Sequence, residues 1–307
     1  MIASSPIGFI LNPGANRNRA VRQANALQKQ INELWPGSEL YITGNKDDIA
    51  EMARSAASKF GKIVACGGDG TINQVLEIAA ETKCIAGIVP LGSGNDFIKT
   101  PGISRNPIKA LEQLHTGVER KVDIIRYIAH CEHGVVSGIA MNSVGLGFDG
   151  RTNYEASQLK VVKGPLLYFF AALKSAFASI PSEFMVNLDG DRHVDDYLMF
   201  TFANGRVEGG NFKIAPNASL FDGHVDVIMV PPVSKFTLFT RLPLFLIGKQ
   251  HWTSIVKTTT CKRSTLELAI PLPAHVDGEQ IGLEVSKIEL FVDEGAVSLI
   301  CPRRVPD

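Results

Sequence analysis

The chain has 307 residues, 45% of them hydrophobic, which is enough for two domains and a large core and excludes a largely disordered polypeptide. Lys+Arg and Asp+Glu balance at 31 each, so no global basic field argues for nucleic acid as a partner. The five cysteines (Cys66, Cys84, Cys131, Cys261, Cys301) are scattered without a CxxC pair, which favours a reducing, cytoplasmic setting over a disulfide scaffold or a zinc site.

In chain order, the N-terminus lacks a basic segment ahead of its apolar run, which ends at Asn12-Pro13, and reads as a first strand at 7–10 and not as a signal peptide. A helix follows over 19–34, then a strand at 40–42, a helix over 47–60 and a strand at 63–65. A glycine turn leads into a helix over 72–80, a strand at 85–89 and a helix over 107–115. Such alternation predicts a parallel sheet with helices on both faces and ligands at the carboxyl ends of the strands. Three of those ends carry unusual loops: Asn12-Pro-Gly-Ala-Asn16, the Gly67 to Thr71 turn and Pro90 to Asp96.

From about residue 123 the period changes to two, with strand-like runs at 123–128, 135–141, 184–188, 197–203, 225–229, 266–270 and 287–291, and one helical insertion at about 154–180. The pattern predicts a β-sandwich-like second domain. The boundaries are read as 1–126 and 127–291, with 292–307 open to completing the first domain. A last hairpin is expected at 290–301 around Asp293-Glu-Gly295.

Cys66-Gly-Gly-Asp-Gly-Thr-Ile-Asn73 is the most informative stretch, because strand, glycine turn and helix start together form phosphate-binding architecture. Gly67, Gly68 and Gly70 are expected to supply positive φ and close approach to an anion. Asp69 would repel phosphates directly, so it is read as holding a Mg²⁺ that the phosphates share. The bland alternative is a tight turn with a capping Asp or Thr. One βα unit later, Gly92 and Gly94 again free the backbone, Ser93 and Asn95 offer neutral donors, and Asp96 is placed to cap a helix or approach the metal. Neither loop matches a Walker A or GxGxxG pattern.

Together the segments Phe9 to Pro13, Gly67 to Asn73, Pro90 to Phe97, Asn142 to Phe148, Ala215 to Gly223 with Val225-Asp226, and Val276 to Glu279 resemble the diacylglycerol-kinase-like lipid kinase family. That family includes bacterial lipid kinases and sphingoid-base kinases and is distantly similar to NAD kinases. The resemblance implies an α/β NAD-kinase-like N-terminal domain, a mainly β C-terminal domain carrying the lipid site, and an active site in the cleft between them.

It further implies ATP and Mg²⁺ as cofactors. The ATP site would comprise Asn12, Thr43, Gly67, Gly68, Asp69, Gly70, Thr71, Ile72, Asn73, Ser93, Gly94, Asn95 and Asp96, with Asp69 near the catalytic Mg²⁺. Asp277 would be the general base and Glu279 would orient it. A structural Mg²⁺ would take the Asp222 side chain and the Ser219 and His224 carbonyls, and Asp123 would join a polar network. Read without the resemblance, Asp277-Gly278 is a hairpin turn and Phe221-Asp-Gly-His224 an ordinary one. Against the family's usual Asn-Pro-x-Ser-Gly, this chain has Ala15-Asn16; Asn can preserve the left-handed turn, and Arg17 or Arg19 could supply charge there.

Residues 159–180, with Lys160, Lys163 and Lys174, and 238–247, around Arg241, are apolar enough for a membrane surface, against the bland reading of buried helices. His193, His224 and His275 lie in polar turns and are expected to be exposed, and Cys66 to be a buried small hydrophobe. The activity that follows is ATP-dependent phosphorylation of a lipid hydroxyl by a cytoplasmic protein in transient peripheral contact with the membrane, with a homodimer left open. The alternatives are a kinase for NAD or another small molecule, and a non-catalytic lipid- or nucleotide-binding protein.

Overall fold

The computed structural model describes residues 5–14, 19–44, 48–158, 165–209, 211–249, 253 and 255–304; the Ala15-Asn16 turn, Arg17, Lys160 and Lys163 lie outside them. The chain divides into two units, Met1–Val122 with Glu294–Asp307, and Asp123–Asp293.

The first unit runs β1 (Gly8–Leu11), α1 (Arg19–Leu34), β2 (Glu39–Ile42), α2 (Asp48–Phe60), β3 (Lys62–Gly67), α3 (Asp69–Thr82), β4 (Ile85–Pro90), a single 3-10 turn at Phe97–Lys99 and α4 (Pro107–Thr116). The strands are parallel in the order β4-β3-β1-β2. β3 and β4 are nearly continuous apolar runs and are buried along almost their whole length, the signature of strands covered on both faces. Trp35 packs between Phe9 and His115, with ring centroids 5.6 and 5.4 Å away. A large apolar side chain buried this way contributes about 2–3 kcal/mol. Asn106 caps α4 by accepting from the Ile108 and Lys109 amides, with Pro107 pre-set for the first turn.

The second unit takes up β5 (Val118–Cys131) and continues through β6 (Gly134–Ala140), β7 (Ser143–Gly147), α5 (Phe148–Gln158), α6 (Pro165–Ala178), β8 (Ser182–Leu188), β9 (Asp191–Tyr197), β10 (Met199–Ala203) and β11 (Val225–Val230). It ends with α7 (Lys235–Ile247), β12 (Lys257–Cys261), β13 (Arg263–Val276) and β14 (Glu279–Cys301). Its strands pair antiparallel in the order β12-β11-β10-β7-β13-β14, with β8 and β9 extending from β13 and β6 lying against β5. Phe184, Phe200, Phe202 and Leu266 form the fully buried centre of its core.

Three expectations need correction. The terminal hairpin does not exist: β14 runs unbroken through Asp293-Glu-Gly295, and Ser298 and Leu299 pair parallel with Ile85 and Ala86 of β4. Pairing there extends the parallel sheet of the first unit, whereas a hairpin would have doubled the chain back antiparallel. The single helical insertion is two helices, α5 and α6. The helix after β3 begins at Asp69 and not at Ile72, so the phosphate-loop turn is only the β3–α3 junction itself.

Candidate active site

The glycines of the first loop do not work by positive φ. None of Gly67, Gly68 and Gly70 has it; in the second loop the left-handed residue is Asn95 (φ 51). What Gly68 and Gly92 supply is closeness: a Cβ on Gly92 would lie 2.4 Å from the Gly68 Cα, so the two loops pack main chain on main chain. Asp69 fastens the same contact. Its Oδ2 accepts the Asn95 amide at 2.7 Å and its Oδ1 the Asp96 amide at 2.9 Å. Burial and the neighbouring Asp96 raise the Asp69 carboxyl above its usual range while the loop amides oppose the shift.

Around this junction the donors face several ways. Asn12 Nδ2 donates to Thr71 Oγ1 at 3.1 Å, while the Asp69 and Gly70 amides sit in the first turn of α3, where no carbonyl of the helix reaches them. Asn95 donates to the Gly92 carbonyl, and its own Oδ1 is buried without a partner. Ser93 is exposed and Gly94 and Asn73 half-buried, whereas the Thr43 and Ile72 side chains are enclosed, Thr43 donating to the Leu11 carbonyl. Asp96 pairs with Lys99 at 2.6 Å. Sequence reasoning missed Arg105, whose guanidinium donates to the Ser93 carbonyl at 3.1 Å and sets a cation on the second loop. No pattern of spacing marks it.

In the second unit, Asp277 and Gly278 form the two-residue turn between β13 and β14, with φ of 51 and 83, the type I′ geometry that Asp-Gly favours. The turn is also a carboxylate clamp. Asp277 Oδ1 accepts the Asn142 and Ser143 amides at 2.8 Å each, and Oδ2 accepts the Met141 amide at 2.7 Å. Three of about four lone-pair sites are filled, leaving one on Oδ2 for a proton. Burial pushes this carboxyl up to about 6 against the pull of the amides and of His275. These main-chain amides hold Asp277 in place; the Glu279 side chain stands exposed.

Below the turn lies a group that sequence reasoning did not find. Asp149 accepts from Thr201 Oγ1 at 2.6 Å and faces His275 Nε2 at 3.3 Å, while Glu208 accepts from Ser143 Oγ at 2.8 Å. His275 is 3% exposed, overturning its expected exposure. Burial, then the Asp149 charge, push the Glu208 carboxyl well above its usual range, which favours its protonated form. Burial would lower His275, but Asp149 and Glu208 outweigh it and lift it to about 9. Gly145 has to be glycine here, since a Cβ would fall 2.1 Å from Asp149 Oδ2.

The three donor groups lie within 4.8 Å of one another, as in a cation site. Yet the ring nitrogen facing Asp149 carries a hydrogen in either state. The imidazolium is protonated on both nitrogens, and in the neutral ring the Gly278 amide, 3.3 Å from Nδ1, claims that lone pair. The group is closed by its own ion pair and hydrogen bonds.

Asp123 is buried and accepts the Gly223 amide on Oδ2 at 2.7 Å, tying β5 to the Ser219–His224 loop. In that loop Asp222 Oδ1 accepts the His224 amide at 3.1 Å. Burial, and Asp222 beside it, raise Asp226 to about 6. Two carboxylates crowded in this way suit a hard cation. Cys66 is buried and its thiol is raised by burial, an apolar filler as expected.

The sequence profile of the diacylglycerol kinase catalytic domain matches residues 6–127, and that of the YegS C-terminal NAD kinase beta sandwich-like domain matches residues 142–301. By class the chain is therefore a lipid kinase, a phosphotransferase. A diacylglycerol kinase of Mycobacterium tuberculosis is 26% identical over 290 residues, covering 90% of this chain and 93% of the relative. A diacylglycerol kinase structure from Bacillus anthracis superimposes with a TM-score of 0.75 at 18% identity, covering 98% of each chain. Yeast NADH kinase complexed with NADH matches with a TM-score of 0.51 at 11% identity, over 98% of this chain and 84% of that one, a likeness of fold. The chain belongs to the family of the YegS C-terminal NAD kinase beta sandwich-like domain, which takes up its β-rich second half, and its α/β first half, NAD-kinase-like in fold, carries the diacylglycerol kinase catalytic domain match.

Proposed function

We propose that the protein transfers the γ-phosphate of ATP, with Mg²⁺, to the hydroxyl of a diacylglycerol-like or sphingoid lipid. The observation that carries this reading is the Asp277 clamp: a carboxyl near 6, held by three amides, with one lone pair left to take a proton.

In this reading the free amides at the start of α3 and the packed Gly68 and Gly92 main chains cradle the triphosphate, and Asn95 and Ser93 donate to phosphate or ribose. The donor sets fit a hard cation. Asp69 accepts main-chain amides of the second loop and still offers an oxygen lone pair, and Asp222 with the Ser219 and His224 carbonyls offers only oxygen. Bound Mg²⁺ would neutralise the triphosphate and its developing charge. Asp277 accepts the hydroxyl proton as the lipid oxygen attacks, and its fixed amides keep the charged form available despite burial. Asp123 steadies the Ser219–His224 loop.

The test is incubation with γ-labelled ATP and Mg²⁺, offering a lipid extract in one arm and NAD in the other, followed by organic–aqueous partition and mass spectrometry of the product. Label in a lipid phosphate is expected. Label in the aqueous nicotinamide product would replace the reading with NAD phosphorylation, and nucleotide binding without turnover would leave a binding protein.

A further inference from the structure

From Phe170 onward, helix α6 buries its small residues and exposes its phenylalanines. Ala171, Ala172, Ser175 and Ala176 are at most 4% exposed, while Phe170 and Phe177 are 48% and 63% exposed. A helix that only packs on a core does the reverse. Helix α7 turns Leu238, Leu242 and Phe245 inward, as a core helix does, but leaves Phe236 78% and Ile247 57% exposed at its two ends. The Phe177 and Phe239 rings lie 5.3 Å apart, and Lys235 Nζ donates to the Phe177 carbonyl. The end of α6 and the start of α7 thus form one aromatic surface, and the apolar stretches are not simply core.

Charge selects what covers it. The chain as a whole is neutral, yet residues 165–181 and 231–249 hold no Asp or Glu; Lys174 pairs with Glu155 of α5 at 2.6 Å, and Lys235 and Arg241 stand exposed on α7. A second copy of the chain placed symmetrically on this face would set Lys235 and Arg241 against their own counterparts. Exposed aromatic rings on helices that also present Lys235 and Arg241 suit the headgroup region of an anionic bilayer, rings at the acyl boundary and cationic groups among phosphates.

We propose that the α6–α7 face docks the second unit onto an anionic membrane surface, with Phe177 and Phe236 entering the headgroup–acyl boundary. The proposal draws its purpose from the lipid-kinase reading, since that substrate resides in such a surface, but its test needs no turnover. The full chain is sedimented with vesicles of phosphatidylcholine containing about one-third phosphatidylglycerol, and with phosphatidylcholine alone. Binding to the anionic vesicles is expected, reduced on the order of tenfold without the anionic lipid and by a similar or larger factor in a Phe177→Ser/Phe236→Ser variant that melts like the parent.

No binding by the parent chain, equal binding by the variant, or a solution dimer that the variant splits would overturn it. Activity separates the two readings. On a water-soluble short-chain diacylglycerol the variant should match the parent, losing turnover only on vesicle-embedded lipid, and equal loss on both would also overturn docking. Vesicle binding with no turnover by either protein would sink the kinase reading alone.

Discussion

The two units prepare charge in opposite ways. In the first, main chain does the positioning: Gly68 and Gly92 meet at backbone distance, and the one carboxylate among them, Asp69, is held by amides of the next loop. In the second, ionisable side chains are packed against each other: Asp277 sits above Asp149, His275 and Glu208, linked through Ser143, whose amide binds Asp277 and whose hydroxyl binds Glu208. The main-chain contact leaves no room for an added methyl group. A carboxylate set against other titrating groups responds to protons.

That contrast can be broken at its strongest point first. Asp277→Asn should lower kcat by about 10²–10⁴ while leaving ATP affinity nearly unchanged, because the amide side chain cannot take a proton. Initial rates and calorimetric ATP titration would read both, and an active variant would move the base elsewhere. For the parent protein, log(kcat/KM) should fall about one unit per pH unit below about pH 6, since Asp277 is useful only when ionised and its carboxyl is raised to about 6. His275 is among the groups lowering that value, so His275→Gln should shift the acid limb to higher pH.

In the first unit, Gly92→Ala should destabilise by about 1–3 kcal/mol and weaken nucleotide binding, because its Cβ would meet Gly68 main chain that cannot step aside. A melting curve unchanged from the parent would show that the loops are not packed as described. The smallest effect is in Glu208→Gln. The Glu208 carboxyl is raised from its ordinary 4.5 to about 8, so its contribution to stability is present below 4.5 and lost as pH rises through 8. The variant should lack that decline, so its melting temperature should fall less than the parent's, by at least a few degrees, between acid and alkaline pH. Parallel profiles would mean that Glu208 is ionised in the folded state.

Much of the first unit could be read directly. Its helices and strands announce themselves by period, and Gly67 to Asn73 and Pro90 to Phe97 are contiguous segments whose residue types already state their chemistry. The role of the glycines could not be read, because close approach between Gly68 and Gly92 depends on two separate strand ends lying side by side. The terminal hairpin failed for a related reason. Asp293-Glu-Gly295 has the composition of a turn, but pairing of Ser298 with Ile85 keeps the chain extended. Likewise Phe177 and Phe236 have the composition of core residues, and only the packing of α6 on its alanines and of α7 on Leu238, Leu242 and Phe245 turns them outward.

The sequence by itself determined the alternating architecture, the family and the Asp277 turn, since these rest on residues adjacent in the chain or repeated at a fixed period. Only the tertiary structure decided that His275 is buried against Asp149, that Glu208 is enclosed beside the same pair and that Arg105 reaches the second glycine loop. Each depends on distance and desolvation between groups remote in sequence, and those quantities exist only once the chain has folded.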